Sequence, residues 1–159
     1  MKSVPLNTKY RTANYQKYCA IIDDCDFESV NKHDWRVFKR DRNMYAVASI
    51  DGFIVPMHCF LLGGKNIDHV DGNGLNNQRN NLRYANASQN AMNKRAKLNG
   101  TSIYKGVSRC KDKWQAQIKK NYKNYKIGVY ADEKTAALAY NAKAIEMFGE
   151  YARINVGLY

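Results

Sequence analysis

The chain has 159 residues, 45% of them hydrophobic, which suffices for one medium domain or two small domains with packed cores and argues against a disordered chain. Lysine and arginine number 26 against 14 acidic residues, and the formal charge of +12 indicates a polyanionic partner, with nucleic acid as the leading candidate. No apolar stretch is long enough for a membrane span, and the N-terminus lacks the apolar core of a signal peptide, so we expect an intracellular protein with no membrane partner.

The N-terminal third contains a polar segment and an acidic one. Residues 1–18 are rich in tyrosine, and two interpretations stay open for them, an arm that orders on DNA or an irregular edge strand. Residues 19–34 hold five acidic side chains against one lysine. This cluster could bind a metal ion, but we favour a solvated acidic surface that faces away from DNA.

A small antiparallel sheet is predicted next. Residues 35–39, 44–50 and 53–57 have strand patterns, and Asp51 with Gly52 forms a tight turn between the last two. His58 precedes an apolar run, where we expect a structural histidine, with a phosphate contact or an auxiliary active-site role as the alternative.

Four polar residues in the segment 67–94 can together hold a metal ion and a base: Asp68, His69, Asn81 and Asn90. A carboxylate and an amide oxygen are hard ligands for magnesium or manganese, and a neighbouring imidazole can deprotonate a water molecule. The turn residues at 71–74 and a possible capping box at 86–89 predict a hairpin of two strands that leads into a helix.

A second unit is predicted after a short polar break at residues 98–102. Residues 104–110, 113–119 and 125–130 have strand patterns, and Asp132 caps a helix that runs to about Phe148. In the middle strand, apolar residues alternate with lysine and glutamine. One face of this sheet is therefore expected to pack on the helix, and the other to be polar and cationic.

The central segment resembles the HNH homing endonucleases of phages and mobile introns, whose site is a ββα-metal fold. The resemblance rests on D-H-x-x-G-N-x-x-x-N from residue 68, N-N-L-R from residue 80 and S-Q-N-x-x-N from residue 88. It implies that Asp68 and Asn90 bind one divalent metal ion, magnesium or manganese, and that His69 is the general base. It also implies that Asn81 braces the loop and orients His69. The basic residues that flank the motif are expected to contact DNA: Arg83, Lys94, Arg95 and Lys97.

The C-terminal unit resembles the Apetala-type, or ethylene-response-factor, DNA-binding domain, through Y-K-G-V at 104–107, K-W-x-A-x-I at 113–118, I-G-V-Y at 127–130 and A-A-x-A-Y-x-x-A at 136–143. In that family the sheet enters the major groove. The resemblance implies these DNA-facing residues, with the last three as backbone contacts: Lys105, Ser108, Gln117, Lys119, Lys126, Arg109, Lys111 and Lys113. Several arginines that read guanine in plant members are replaced here, so the target sequence does not transfer.

Together these features predict an α+β protein with an HNH nuclease domain at 1–99, its ββα-metal core at about 58–97, and an Apetala-type domain at 102–159. We expect a metal-dependent endonuclease that hydrolyses phosphodiester bonds in double-stranded DNA, in the cytoplasm of the host cell, as a monomer or a homodimer. The four cysteines are widely spaced, so no structural zinc is predicted, nor is a small-molecule cofactor. Two alternatives remain, a non-catalytic DNA-binding or transcription-regulating protein with a degenerate nuclease domain, and a basic RNA-associated protein.

Overall fold

The computed structural model describes residues 1–7, 18–40, 42–96 and 99–158. Two compact units are present, Met1–Asn86 and Ala87–Tyr159. Both combine small antiparallel sheets with helices, so the predicted α+β class is confirmed. The division falls before the short helix that carries Asn90, which the sequence placed in the first domain. None of the helices in the described ranges is both long enough and apolar enough to cross a membrane.

The first unit begins with a strand pair and a three-stranded sheet. Strand β1 (Lys2–Pro5) pairs antiparallel with β2 (Cys19–Ile22), so the start of the N-terminal segment is a strand, whereas residues 8–17 lie outside the described residues. After helix α1 (Phe27–Val30), strands β3 (Arg36–Arg40), β4 (Asn43–Ile50) and β5 (Phe53–Pro56) form a sheet in that order, as predicted. Asp51 and Gly52 both have positive φ, which a two-residue type I′ turn requires.

The core of the first unit lies between these sheets and the helices. Trp35 is almost fully buried, and its indole N–H donates to the carbonyl of Val30 at 2.8 Å, which satisfies the polar end of an otherwise apolar ring. The other buried apolar residues of this core are Val4, Leu6, Ala20, Ile22, Val30, Ala46, Ala48, Met57, Leu61, Ile67 and Leu82. Each fully buried aliphatic side chain contributes about 1.5–3 kcal/mol, so this core holds the site's strands in place.

A short hairpin completes the first unit. Helix α2 (Met57–Leu62) ends at Gly63, which has the left-handed conformation that helix ends favour. Strand β6 (Ile67–His69) then pairs antiparallel with β7 (Leu82–Tyr84), with Asp68 opposite Arg83 and His69 opposite Leu82. Helix α3 (Ala87–Met92) follows β7 in the chain. The predicted hairpin followed by a helix is therefore confirmed.

The second unit is a three-stranded sheet packed on one helix. Strands β8 (Val107–Cys110), β9 (Lys113–Lys120) and β10 (Lys123–Tyr130) form the sheet with β9 in the centre, and α4 (Glu133–Phe148) covers one face. Asp132 accepts a hydrogen bond from the backbone N–H of Thr135 at 2.8 Å, which is the predicted cap. Gly106 has a positive φ, and a Cβ there would overlap the ring of Tyr140, so this position requires glycine.

Candidate active site

Two adjacent residues of the motif, Asp68 and His69, are buried on strand β6. Asp68 is 7% exposed and His69 is 5% exposed. The Asp68 carboxylate faces its cross-strand neighbour Arg83, whose Nη2 and Nε donate to Asp68 Oδ2 at 3.0 and 3.3 Å. A buried carboxylate requires such a partner because burial alone disfavours its charge. Arg83, predicted to contact DNA, thus lies against Asp68 with only 13% of its side chain exposed.

The ring of His69 is held by Asn77. His69 Nε2 lies 3.2 Å from Oδ1 of Asn77, whose side chain is fully buried. An amide oxygen only accepts, so with this orientation Nε2–H donates and the neutral ring carries its lone pair on Nδ1. Burial lowers the pKa of His69, against the opposing effects of the Asn77 hydrogen bond and of the Asp71 and Asp68 carboxylates. The neutral form, which a general base needs, is thereby favoured near neutral pH.

Asn81 braces the loop between β6 and β7. Its Oδ1 accepts from the backbone N–H of Asp71 at 3.0 Å, and its Nδ2 donates to Asp71 Oδ1 at 3.0 Å and to the Asn76 carbonyl at 2.8 Å. Burial opposes ionisation of Asp71, but hydrogen bonds, among them one from Asn81, outweigh it and lower the pKa of this carboxyl. Asn81 thus contacts the loop, whereas Asn77 Oδ1 accepts the hydrogen bond from the His69 ring.

The same loop is attached to strand β2. The backbone N–H of Ile21 donates to the Leu75 carbonyl at 2.8 Å, and the N–H of Asn77 donates to the Ile21 carbonyl at 2.7 Å. Through these two bonds the backbone of β2 pairs with the backbone of the loop. The backbone of Asn77 is therefore fixed from outside the hairpin, and its side chain is aimed at His69.

The acidic segment supports this loop, and our prediction of a solvated surface there is wrong for Asp26, which is buried. Asp26 is 5% exposed and accepts hydrogen bonds from the Arg79 guanidinium at 2.7–3.2 Å. Asp23 accepts from the backbone N–H of Arg79 at 2.8 Å and from the Gln78 amide at 3.3 Å. Asp24, by contrast, is exposed and pairs with the N-terminal amine. Carboxylates far earlier in the chain therefore hold the segment that follows Asn77.

Two aromatic rings adjoin His69. The ring centroid of His58, on α2, lies 4.8 Å from that of His69, and the rings are nearly perpendicular. Tyr45, on β4, lies 5.9 Å from His58 and 6.0 Å from His69. Burial, and to a lesser degree the neighbouring His69, lowers the pKa of His58 to about 4, so its ring is neutral at pH 7. No sequence pattern had pointed to Tyr45, and for His58 the auxiliary role was only our second interpretation.

The oxygen donors proposed for a metal ion have the appropriate chemistry. The carboxylate of Asp68 and the amide oxygen of Asn90 are both hard ligands suited to magnesium or manganese. Asn90 is exposed and lies on α3, in the second unit. Within residues 1–7, 18–40, 42–96 and 99–158, no three side chains of His, Cys, Asp or Glu gather as a metal cluster.

Most of the predicted DNA-facing residues of the second unit share one face of its sheet. In an antiparallel pair, residues directly opposite each other point to the same side. Gln117 lies opposite Lys126, and Ser108 lies opposite Gln115, which alternates with Gln117 along β9. The face away from α4 therefore carries the following predicted residues: Ser108, Lys113, Gln117, Lys119 and Lys126.

The other predicted basic residues lie elsewhere. Lys105 is partly buried and donates to the carbonyl of Met92, and burial, with a smaller effect of Arg153, lowers its pKa to about 8. Arg109 lies opposite Trp114, on the helix side of the sheet, with its guanidinium 5.0 Å from the indole centroid. Lys111 lies in the turn between β8 and β9. Lys94 and Arg95 are exposed and follow α3 in the chain. Lys97 lies outside the described residues.

Comparisons with known proteins find two relatives. Over 89 residues the chain is 39% identical to a protein of Acanthamoeba polyphaga mimivirus named an uncharacterized HNH endonuclease, a match that covers 56% of this chain and 46% of that protein. The chain thus spans less than half the length of this relative. No family model matches the chain, and no solved structure matches it. Over 92 residues the chain is 32% identical to Protein 3.8 of Escherichia phage T7. This match covers 57% of the chain and 75% of that protein. The chain therefore belongs to the same family as Protein 3.8 of Escherichia phage T7.

Proposed function

We propose that this protein is an HNH-type, metal-dependent endonuclease that hydrolyses phosphodiester bonds in double-stranded DNA. The observation that carries the proposal is the buried His69, with its Nε2 held by Asn77 beside the Asp68 carboxylate on the same strand. The name of the mimivirus relative supports a nuclease, and the viral and phage relatives support a mobile-element or viral setting.

In this proposal His69 is the general base. Its Nδ1 takes a proton from a water molecule, and the resulting hydroxide attacks the phosphorus in line with the departing 3′ oxygen. Desolvation keeps the imidazole neutral, and Asn77 keeps the lone pair on the nitrogen that faces away from it. Positioned general-base catalysis typically contributes about 10²- to 10⁴-fold to the rate.

Asp68 and Asn90 are the proposed ligands of one magnesium or manganese ion. Arg83 holds the Asp68 carboxylate from the neighbouring strand, so that its orientation is set before any ion binds. An ion held by Asp68 and Asn90 would supply positive charge for the scissile phosphate and the leaving oxygen. With few protein ligands, much of the coordination shell is left to water and phosphate oxygens, as is usual for magnesium.

The proposed DNA anchor is the cationic face of the second unit. Lys119, Gln117 and Lys126 lie on the sheet face opposite α4. Such a row of lysines binds phosphates and releases counterions, which is the main source of affinity for duplex DNA. This arrangement is the one that the resemblance to Apetala-type domains implies, and the major-groove placement of the sheet remains part of the proposal.

The first experiment tests catalysis. Supercoiled plasmid is incubated with the parent protein, His69→Ala and the control His33→Gln, which removes a histidine that packs against Trp35 and Phe60 instead. We expect magnesium-dependent nicking by the parent and the control, no detectable nicking by His69→Ala, and equal DNA affinity for all three. Nicking by His69→Ala at the parental rate would assign the base to another residue. Binding without nicking by the parent would favour the alternative, a non-catalytic DNA-binding protein.

The second experiment tests the anchor. Lys119→Ala with Lys126→Ala is compared with Lys134→Ala and Lys143→Ala on α4, a double variant with the same change in charge. The slope of log K against log salt concentration is negative, and its magnitude should fall by about 1.8 in the sheet variant, at about 0.9 for each phosphate that is no longer neutralised. It should change little in the helix variant. Equal changes in the two variants would show that net charge, and not this face, determines binding.

A further inference from the structure

Two buried side-chain atoms of the first unit have no hydrogen-bond partner among the described residues, and both adjoin His69. They are Nδ1 of His58 and Nδ2 of Asn77. Leaving a buried polar atom unsatisfied costs about 1–3 kcal/mol, and buried polar groups in proteins are nearly always paired with protein or ordered water. Two such atoms around one imidazole therefore indicate a hydrogen-bonding partner other than the side chains of the described residues.

The two atoms are chemically complementary. Asn77 Nδ2 is an amide NH2 and can only donate, and the oxygen of the same amide is already used by His69. His58 is neutral at pH 7, since its pKa is about 4, so its Nδ1 can accept a hydrogen bond when the proton is on Nε2. One water molecule can accept from the amide and donate to the imidazole. Buried water makes about two to four hydrogen bonds, so these two atoms supply enough partners for one molecule.

We propose that His58 is a positioning residue for His69 and that His58 and Asn77 hold one ordered water molecule beside its ring. This inference rests on the proposed function, in which His69 is the base. The water accepts from Asn77 Nδ2 and thereby stabilises the amide orientation in which Oδ1 receives the His69 Nε2–H. That orientation keeps the lone pair of His69 on Nδ1, the nitrogen that deprotonates the attacking water.

The packing of the rings supports a positioning role over a direct phosphate contact. His58 Nδ1 is fully buried, so this nitrogen is placed to act within the protein and not on a substrate oxygen. A residue that only filled space next to Tyr45 and His69 would not need a nitrogen there, because a phenyl ring has nearly the same shape without an unsatisfied atom. The nitrogen is therefore the informative part of His58.

Two substitutions separate the nitrogen from the ring. His58→Phe keeps an aromatic ring and removes both nitrogens, whereas His58→Asn keeps a polar atom near the position of Nδ1. For His58→Phe we expect kcat for plasmid nicking to fall about 10- to 100-fold, as for other residues that orient a catalytic group, with KM and DNA affinity unchanged. His58→Asn should recover part of this activity. His33→Phe, at a histidine outside the site, is the control and should keep the parental kcat.

A crystal structure of the parent provides a readout that does not depend on activity. We expect an ordered water within hydrogen-bonding distance of both His58 Nδ1 and Asn77 Nδ2, and its disappearance in His58→Phe. Parental kcat in a folded His58→Phe, or no water between the two atoms, would overturn the proposal, as would a defect confined to DNA affinity. If the parent cleaves no DNA with magnesium or manganese, the proposed function fails, while the crystal structure still tests the water site.

Discussion

The buried imidazole of His58 makes the stability of the first unit depend on pH. Burial and the neighbouring His69 lower its pKa from 6.5 to about 4 in the folded protein. In the unfolded chain the pKa returns to about 6.5, so between these values the unfolded state binds more protons than the folded state. The stabilisation that comes from keeping this ring neutral is therefore fully present above pH 6.5 and is lost as the pH falls towards 4.

The size of the effect follows from the two pKa values. The gap between 6.5 and about 4 corresponds to roughly 3 kcal/mol, at about 1.4 kcal/mol for each pH unit. About 2 kcal/mol of this should already be lost between pH 7 and pH 5, because at pH 5 the unfolded imidazole is almost fully protonated and the folded one is not. His58→Phe has no group that titrates in this range and should lack this part of the pH dependence.

Urea unfolding at pH 7 and pH 5 measures the difference. A Trp114→Phe background leaves Trp35, which is buried in the core of the first unit, as the fluorescent reporter. We expect the free energy of unfolding to fall by about 2 kcal/mol more in the parent than in His58→Phe. The contribution of the carboxylates to the pH dependence cancels in this comparison, because the carboxylates are the same in both proteins. Parallel pH profiles in the two proteins would refute the reasoning, because His58 would then titrate alike in the folded and unfolded states.

The remaining predictions concern single side chains and the metal ion. Asp26→Asn should lower the free energy of unfolding of the first unit by about 2 kcal/mol in urea titrations, because a buried charge-assisted bond to Arg79 is weakened. Gly106→Ala should abolish cooperative thermal unfolding of the second unit, since the added Cβ would overlap the ring of Tyr140. Gly149→Ala, at a position with positive φ but open surroundings, should cost only the backbone strain of about 1–3 kcal/mol. Removal of divalent ions with EDTA should stop plasmid nicking, and added magnesium should restore it.

A different result would contradict each of these predictions. Asp24→Asn is the control for Asp26→Asn, because its carboxylate is exposed, and equal effects of the two would show that the Arg79 contact is not stabilising. A Gly106→Ala protein that melts like the parent would mean that α4 can move away from the sheet. Nicking that persists in EDTA would remove the metal ion from the proposed mechanism.

The secondary structure was largely predictable because it depends on local patterns. The strands of both three-stranded sheets, the Asp51–Gly52 turn and the capped helix α4 all lie within a few residues of their predicted positions. Alternation, turn residues and caps act over short distances in the chain, so one sequence is enough to find them. Lys105 was predicted to face DNA, but its ammonium is partly buried and donates to a backbone carbonyl. No local sequence pattern reveals such a contact.

The sequence by itself determined the chemistry of the candidate site, with a carboxylate and an imidazole next to each other on one strand and a cationic sheet face further along. Only the tertiary structure decided which groups surround His69: Asn77, whose Oδ1 accepts from the ring, and the rings of His58 and Tyr45. The loop contains several asparagines, and the sequence alone does not show which of them contacts the imidazole. Long-range hydrogen bonds that join the loop to β2 and to the Asp23 carboxylate set the path of the loop, and that path decides which asparagine faces the imidazole.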